Sequence, residues 1–384
     1  MEEAHQTISG FISSDEPNAD LLHQAAYVCV HLNDLGLSEQ ALEKSLEKTT
    51  DFNPSRLMDL AVIYTLRGDH KQALDHLNID QAHLIEHPEI AMLKSDLLCN
   101  IGHYDLARQT LQSIETQIEL VKENDIEKVG DKHRSPLLYT QDFSLKGFHF
   151  RFALTQRILG EFTEALKHFS IAQRIDPDDI RLKNLHVETA MMNLEFLPAL
   201  ALAEEVEPSA VLSQSTNRDV LDLVCSQVEI LLYQDQTAAA QKQLSKLATT
   251  GGSYPRYLAI ASRIAAQAGE NDLAEERLRL AIKTYQQEFG DLQPHTLADF
   301  FRKLLNLNSI AEASLTLGDH CSAIDTWREI TKIVDTQPLF NWRLLSTLVT
   351  AAEFQRVSEM LSITAHNPGK ACLSEEHHQL AEHI

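Results

Sequence analysis

The sequence predicts an all-α protein, an α-α superhelix of about nine helix hairpins, and three observations support this prediction. Glycine and proline are scarce, at 13 and 11 of 384 residues, which argues against an all-β fold with many turns. Six of the glycines stand in one recurring frame: Gly36, Gly68, Gly102, Gly160, Gly269 and Gly318. An alanine follows each of them five places later: Ala41, Ala73, Ala107, Ala165, Ala274 and Ala323.

This spacing has a physical interpretation as a helix hairpin of about 34 residues. Glycine takes the left-handed conformation that ends a helix, so each framed glycine marks a turn. A small residue seven places before the glycine and the alanine after it are expected on facing helices, where both must be small for close packing. A large apolar residue stands nine places after five of the six glycines, and Ser45 is the exception. After Gly68, Asp69 and Gln72 have the spacing of a capping box.

The spacing resembles that of the tetratricopeptide repeat family. The clearest copy is residues 145–177, with the core Leu159-Gly160-Glu161-Phe162-Thr163-Glu164-Ala165-Leu166. Residues 288–296 partly resemble the long repeat of kinesin light chains. The resemblance implies that the first helix of each hairpin lines the concave face of a superhelix, where a peptide or a partner helix binds.

The frame divides the chain into consecutive segments. We expect an N-terminal capping helix over 1–21, repeats over 22–121, an extended helix and charged loop over 122–145, and repeats over 146–288. A shorter insertion over 289–303, repeats over 304–371 and a polar cap or tail over 372–384 follow. In two weaker copies Leu194 and Asp235 replace the glycine, while Ala199 and Ala240 keep the alanine. Five prolines break the helices at the joins: Pro54, Pro88, Pro177, Pro255 and Pro338.

Composition limits the classes of partner and location. With 33 Lys+Arg against 56 Asp+Glu, the net charge is −23, which argues against direct binding of nucleic acid or of an anionic membrane. The charge fits either a surface that resists self-association or a preference for basic partners. No run approaches the roughly 18 apolar residues of a membrane span, and the start lacks a signal-peptide pattern, so we expect a cytoplasmic protein. The five cysteines show no CxxC spacing and are expected as reduced thiols.

Signatures of catalysis are missing from the sequence. It contains no glycine-rich phosphate loop, no G-x-S-x-G elbow and no HExxH motif, so we predict no enzyme activity, no cofactor and no metal site. A metal site at His378, Glu382 and His383 remains an alternative to a polar helix end.

The predicted partner-binding surface lies on the first helices of the fourth and fifth repeats, with a second candidate in the last repeat. It comprises Phe150, Leu154, Arg157, Arg181, Asn184 and Glu188, with Trp342 beside Leu339. The clamp of Lys and Asn that the family's chaperone-binding branch uses is missing, because the corresponding positions include Ala26, Val30, Met58 and Val62.

The leading hypothesis is an interaction scaffold for a protein or peptide. A regulatory protein that senses a peptide or small ligand and changes curvature is an alternative, and an accessory subunit of an enzyme or assembly machine is a second. A homodimer formed through the terminal repeats also stays open.

Overall fold

The computed structural model describes residues 2–14, 17–120, 143–204, 218–247, 252–290 and 296–350, and all regular secondary structure in these ranges is α-helical. The helices of the first part are α1 (Glu2–Ser13), α2 (Ala19–His31), α3 (Leu35–Glu47), α4 (Pro54–Leu66), α5 (His70–His76), α6 (Gln81–Glu86), α7 (Pro88–Asn100), α8 (Tyr104–Leu120) and α9 (Leu145–Ile158). They continue with α10 (Phe162–Ile175), α11 (Ile180–Met192), α12 (Phe196–Glu204), α13 (Arg218–Tyr233), α14 (Thr237–Ser245), α15 (Pro255–Gln267), α16 (Asn271–Phe289), α17 (Leu297–Thr316), α18 (His320–Ile333) and α19 (Pro338–Thr350). The predicted all-α fold is confirmed.

The chain divides into two compact units, Met1–Thr155 and Gln156–Ile384, which we call the first and second units. Within each unit consecutive helices pack as antiparallel hairpins, such as α2 with α3 and α15 with α16. We call the helix before each hairpin turn the first helix and the helix after it the second helix.

Each hairpin turn in the described ranges contains one residue in the left-handed conformation. Five are glycines with φ between +79° and +84°: Gly68, Gly102, Gly160, Gly269 and Gly318. Three are other residues: Asn33 at φ 60°, Leu194 at 64° and Asp235 at 57°. These eight residues separate eight pairs of helices, and α19 is the first helix of a further hairpin whose remaining residues lie outside the described ranges.

The small residues of the frame pack where two helices of a hairpin meet. The hydroxyl of Ser262, seven places before Gly269, donates to the carbonyl of Ala274, five places after it, at 2.6 Å. Both residues are fully buried. A larger side chain at either position would push the helices apart, so the sequence frame records helix contact directly.

The prediction for the first repeat is wrong in register. Gly36 lies inside α3, and Asn33 takes the left-handed conformation three residues earlier. Counting from Asn33, the small residue five places later is Ser38, which is buried and donates to the carbonyl of Ala26 at 3.0 Å. Ala41 is also buried, but it stands eight places after the turn. The register shift accounts for the Ser45 exception, because fully buried Leu42 holds the large apolar position.

Two predicted boundaries also change, and one short helix is added. The first repeat begins with α2 at Ala19 rather than at residue 22. Residues 297–303, expected in an insertion, belong to α17, which starts where the Thr296 hydroxyl accepts from the amide of Asp299 at 3.1 Å. An unexpected short helix, α6, begins at the Asp80 cap.

Several expectations fall on residues that the structure does not describe. The extended helix and charged loop predicted within 122–145 fall mostly on 121–142, and the end of the ninth repeat and the polar tail fall within 351–384. In the described helices, no stretch combines the length and hydropathy that crossing a bilayer requires.

Candidate functional site

Polar side-chain contacts connect successive first helices in both units. In the first unit, Asp59 of α4 lies 2.7 Å from the His23 ring and accepts from the Tyr27 hydroxyl at 2.7 Å, both on α2. Arg151 of α9 donates through Nε to Asp96 of α7 at 2.9 Å. The faces that the resemblance assigns to partner binding therefore hold polar contacts between repeats of the same chain.

The second unit contains a larger network, centred on Arg256 of α15. This side chain is 0% exposed, and its Nη2 donates to Glu229 at 2.6 Å and to the hydroxyl of Ser226 at 2.9 Å, both on α13. Ser309 of α17 donates to the other oxygen of Glu229. Burial acts to lower the pKa of Arg256, but the charge of Glu229 and other carboxylates holds it well above its usual value. Arg256 is thus a charged structural residue with strong partners.

Arg302 of α17 joins the same network from the opposite side. Its Nε donates to Asp222 at 2.7 Å, and its Nη2 donates to Asp219 at 2.6 Å. The Tyr254 hydroxyl donates to the second oxygen of Asp222. Helices α13, α15 and α17 are therefore linked by charge-assisted hydrogen bonds.

Arg157, near the end of α9, has a different environment. Its side chain is fully buried, and its guanidinium carbon lies over the Phe301 ring, 3.8 Å from the ring centroid. The nearest carboxylate oxygen belongs to Glu188 at 3.6 Å, beyond hydrogen-bond distance. Within the described residues, none of its three side-chain nitrogens has a hydrogen-bond partner. Burial lowers the pKa of Arg157 to about 10, while the Glu188 charge acts in the opposite direction.

A cluster of aromatic and charged side chains lies on α13, α17 and α19. Arg343 pairs with both oxygens of Glu312, at 2.6 Å for Nη2. Its guanidinium carbon lies 5.0 Å from the Trp342 ring and 5.7 Å from the Tyr233 ring. Burial raises the pKa of Tyr233, so its hydroxyl stays protonated at neutral pH. Trp342 thus packs over an ion pair and remains half-buried.

Two parts of the second unit that are far apart in sequence make a contact. The Thr336 hydroxyl donates to the carbonyl of Ile158 at 2.7 Å, and Gln337 Nε2 donates to the carbonyl of Arg157 at 2.8 Å. A Cβ placed on Gly160 would lie 3.1 Å from the Cβ of Thr336. We call Thr336–Gln337 the closing segment, because it covers the end of α9 that carries Arg157.

The structure places the predicted partner-binding residues in two kinds of environment. Arg157, Asn184 and Glu188 are almost fully buried, and Asn184 donates to Glu188 at 3.1 Å. This corrects the expectation of open polar side chains at these three positions, because the inner side chains pair with one another across the repeats. Leu154 is 5% exposed and Leu339 is fully buried. Phe150 and Trp342 are half-buried, and Arg181 is exposed.

Sequence reasoning missed the arginines and carboxylates that build the network. Asp222, Ser226 and Glu229 recur at intervals of four and three along α13, on one face of an otherwise apolar helix. Polar residues at helical spacing inside an apolar helix were the available signal for a buried charged face. Their partners come from repeats 27 to 80 residues away, as for Glu229 with Arg256 and Ser309, and spacing within one helix does not identify such partners.

Within the described ranges, no group of three or more His, Cys, Asp or Glu side chains is arranged to hold a metal ion. Cys29, Cys99, Cys225 and Cys321 are free thiols. The proposed metal ligands His378, Glu382 and His383 lie outside the described residues.

Comparisons with known proteins identify only distant structural similarities. No protein-family model matches the sequence, and no curated protein matches it significantly. A tetratricopeptide repeat protein from Parabacteroides merdae is 14% identical, with a TM-score of 0.47 over 76% of this chain and 99% of that one. The C-terminal part of a TPR repeat-containing protein from Cytophaga hutchinsonii is 15% identical, with a TM-score of 0.42 over 75% and 99%. Human IFIT1, solved as a dimer with m7Gppp-AAAA, is 13% identical, with a TM-score of 0.43 over 96% and 81%.

The architecture is defined by the geometry of this chain itself. Left-handed residues separate its paired helices, and the small residues around each turn are buried between them. The described part of the chain is an all-α array of antiparallel helix hairpins.

Proposed function

We propose that the protein is a non-enzymatic interaction scaffold, and that the inner faces of the first helices in its second unit bind a protein or peptide partner. One observation supports this most directly. Many of the buried polar atoms that have no hydrogen-bond partner within the described residues lie on those first helices: Arg157, Asn184 Oδ1, Gln227 Oε1, Arg256 Nε, Arg263 Nη1 and Asn306 Oδ1.

Buried polar atoms in folded proteins are nearly always hydrogen-bonded, and exceptions need an explanation. These atoms include both donors and acceptors, and a peptide backbone carries both N–H and C=O groups at regular spacing. A bound polypeptide therefore suits this face better than an apolar ligand does. Arg181 and Trp342, which retain exposed surface on first helices, are the proposed initial contacts.

The proposal is tested by affinity capture from the source extract, quantified by mass spectrometry. Arg181→Glu reverses one charge on the first helix α11, and Lys167→Glu makes the matched change on the exposed surface of the second helix α10. We expect Arg181→Glu to reduce the captured partner at least several-fold and Lys167→Glu to leave it unchanged. Equal capture by both variants would place the partner elsewhere.

The closing segment supports a second candidate function, that of a sensor that changes conformation on ligand binding. Two side-chain hydrogen bonds, from Thr336 and Gln337, hold this contact together with the close approach at Gly160. Hydrogen bonds of this kind contribute only about 1 kcal/mol each, so a ligand of moderate affinity is sufficient to open the contact. Small-angle scattering with and without the captured partner distinguishes the two candidates, since a rigid scaffold gives the same profile for the protein component in both states.

A further inference from the structure

Arg157 is unusual among the buried arginines of this protein. In the described ranges, it alone among arginines has all three side-chain nitrogens buried without a hydrogen bond. A guanidinium carries five N–H donors in one plane, and here its carbon lies over the Phe301 ring, 3.8 Å from the ring centroid. All of these donors are therefore unused by the described part of the chain.

The carboxylates nearby are already hydrogen-bonded by other residues. Glu229 accepts from Arg256, and Asp222 and Asp219 accept from Arg302. The carboxylate nearest to Arg157 is that of Glu188. Its Oε1 accepts from the side-chain amide of Asn184 at 3.1 Å and lies 3.5 Å from Arg256 Nη1. Glu188 Oε2 faces Arg157 Nη1 at 3.6 Å, an ion pair beyond hydrogen-bond distance, so the Arg157 donors remain without a hydrogen bond.

Two equally buried arginines therefore differ in their partners. Arg256 satisfies the carboxylates that surround it, which is the arrangement expected of a structural ion pair. Arg157 bears the desolvation cost of a buried cation without any hydrogen bond in return. A purely structural role is filled better by an apolar residue of similar size at this position.

We propose that Arg157 is the receptor for an oxyanion, a carboxylate or phosphate group, bound inside the second unit at the unbonded edge of its guanidinium. Oxyanions match the guanidinium fork, because two parallel N–H donors on one edge fit two oxygens of the same anion. Gln337 and Thr336 bond to the main-chain carbonyls of Arg157 and Ile158, so they do not use the guanidinium donors. This inference goes beyond the proposed scaffold function: it assigns the Arg157 donors, which that proposal counts among the unpartnered atoms of the inner faces, to a small oxyanion whatever the protein partner is.

The test compares thermal unfolding of the full chain in sodium chloride, sodium acetate and sodium phosphate at matched ionic strength and pH. Three variants accompany the wild type. Arg157→Met removes the receptor, Arg157→Lys keeps the charge without the planar fork, and Arg174→Met removes one exposed charge from α10 as a matched control.

We expect acetate or phosphate to raise the Tm of the wild type and of Arg174→Met by roughly 2–4 °C over chloride at an anion concentration about ten times the Kd. The increase should disappear in Arg157→Met and shrink in Arg157→Lys. The arm that produces the shift identifies the anion as carboxylate or phosphate.

Equal increases in the wild type and both Arg157 variants would overturn the proposal, since they would reflect general salt effects on stability. The absence of any increase in either arm would also overturn it. If Arg157→Met does not fold, Arg157→Lys provides the same comparison. No partner protein is present in this assay, so its failure is distinguishable from failure of the capture experiment.

Discussion

Substituting alanine for Gly160 tests the contact between the closing segment and the end of α9. Gly160 and Gly269 have nearly identical left-handed conformations, with φ of +79° and +80°. Alanine in this conformation costs about 1–2 kcal/mol at either site. The sites differ in their surroundings, because a Cβ at Gly160 would lie 3.1 Å from Thr336 Cβ and 3.3 Å from its carbonyl oxygen, while a Cβ at Gly269 meets nothing within 4 Å.

The difference between the two variants isolates the contact. If the new methyl group displaces the closing segment, the hydrogen bonds from Thr336 and Gln337 are lost, at about 1 kcal/mol each. Gly160→Ala is therefore expected to cost about 2 kcal/mol more than Gly269→Ala. The same free energy corresponds to roughly 30-fold faster amide exchange around residues 336–341 where exchange follows local opening.

Hydrogen exchange measured by mass spectrometry gives the local result, and urea unfolding gives the total cost for each variant. We expect faster exchange in the closing segment of Gly160→Ala and unchanged exchange there in Gly269→Ala. Equal unfolding free energies, with the same exchange in both variants, would refute the inference that the closing segment makes a stabilising contact with the end of α9.

Three further predictions concern stability. Arg256→Met should cost about 3–5 kcal/mol in denaturant unfolding because it leaves the buried Glu229 charge unpaired, and adding Glu229→Met should recover much of that loss; a double variant no better than the single one would contradict the pairing. Asp235→Gly should stabilise the protein by up to about 1 kcal/mol, because it relieves an exposed left-handed residue, and a lower denaturant midpoint would contradict this. Burial lowers the pKa of His168 and of His186 to about 4, so between pH 4 and about pH 6.5 the unfolded chain binds more protons than the folded one. The free energy of unfolding should therefore be highest above about pH 6.5 and fall towards pH 4, by up to about 3 kcal/mol per histidine. His186→Gln should weaken this pH dependence in urea midpoints measured across the same range.

The sequence predicts the fold well because each hairpin turn imposes a local requirement on residue type. Glycine at the turn and small residues at the helix contact are dictated by backbone conformation and close packing, which one stretch of chain reveals. The same logic failed at Gly36, where Asn33 makes the turn and Ser38 fills the small position. Asparagine tolerates the left-handed conformation, and serine is nearly as small as alanine. A search for glycine followed by alanine therefore selects Gly36 and misses the actual turn residue, Asn33.

The candidate site was less predictable because its contacts join distant repeats. Arg157 and Glu188 are inner-face residues by the family resemblance, but their burial depends on Phe301 and Arg256, more than 60 residues away. The contact of Gln337 with Arg157 spans 180 residues. No periodicity within one hairpin encodes that contact, since it depends on the cumulative rotation between successive repeats.

Site-specific photo-crosslinking in the source cell tests the central functional claim most directly. A benzophenone amino acid replaces Arg181 on a first helix or Lys167 on a second helix, both exposed positions of the second unit. The account predicts that the Arg181 position crosslinks to a protein or peptide partner and that the Lys167 position does not. Crosslinks to that partner from Lys167 alone would contradict binding on the inner faces of the first helices.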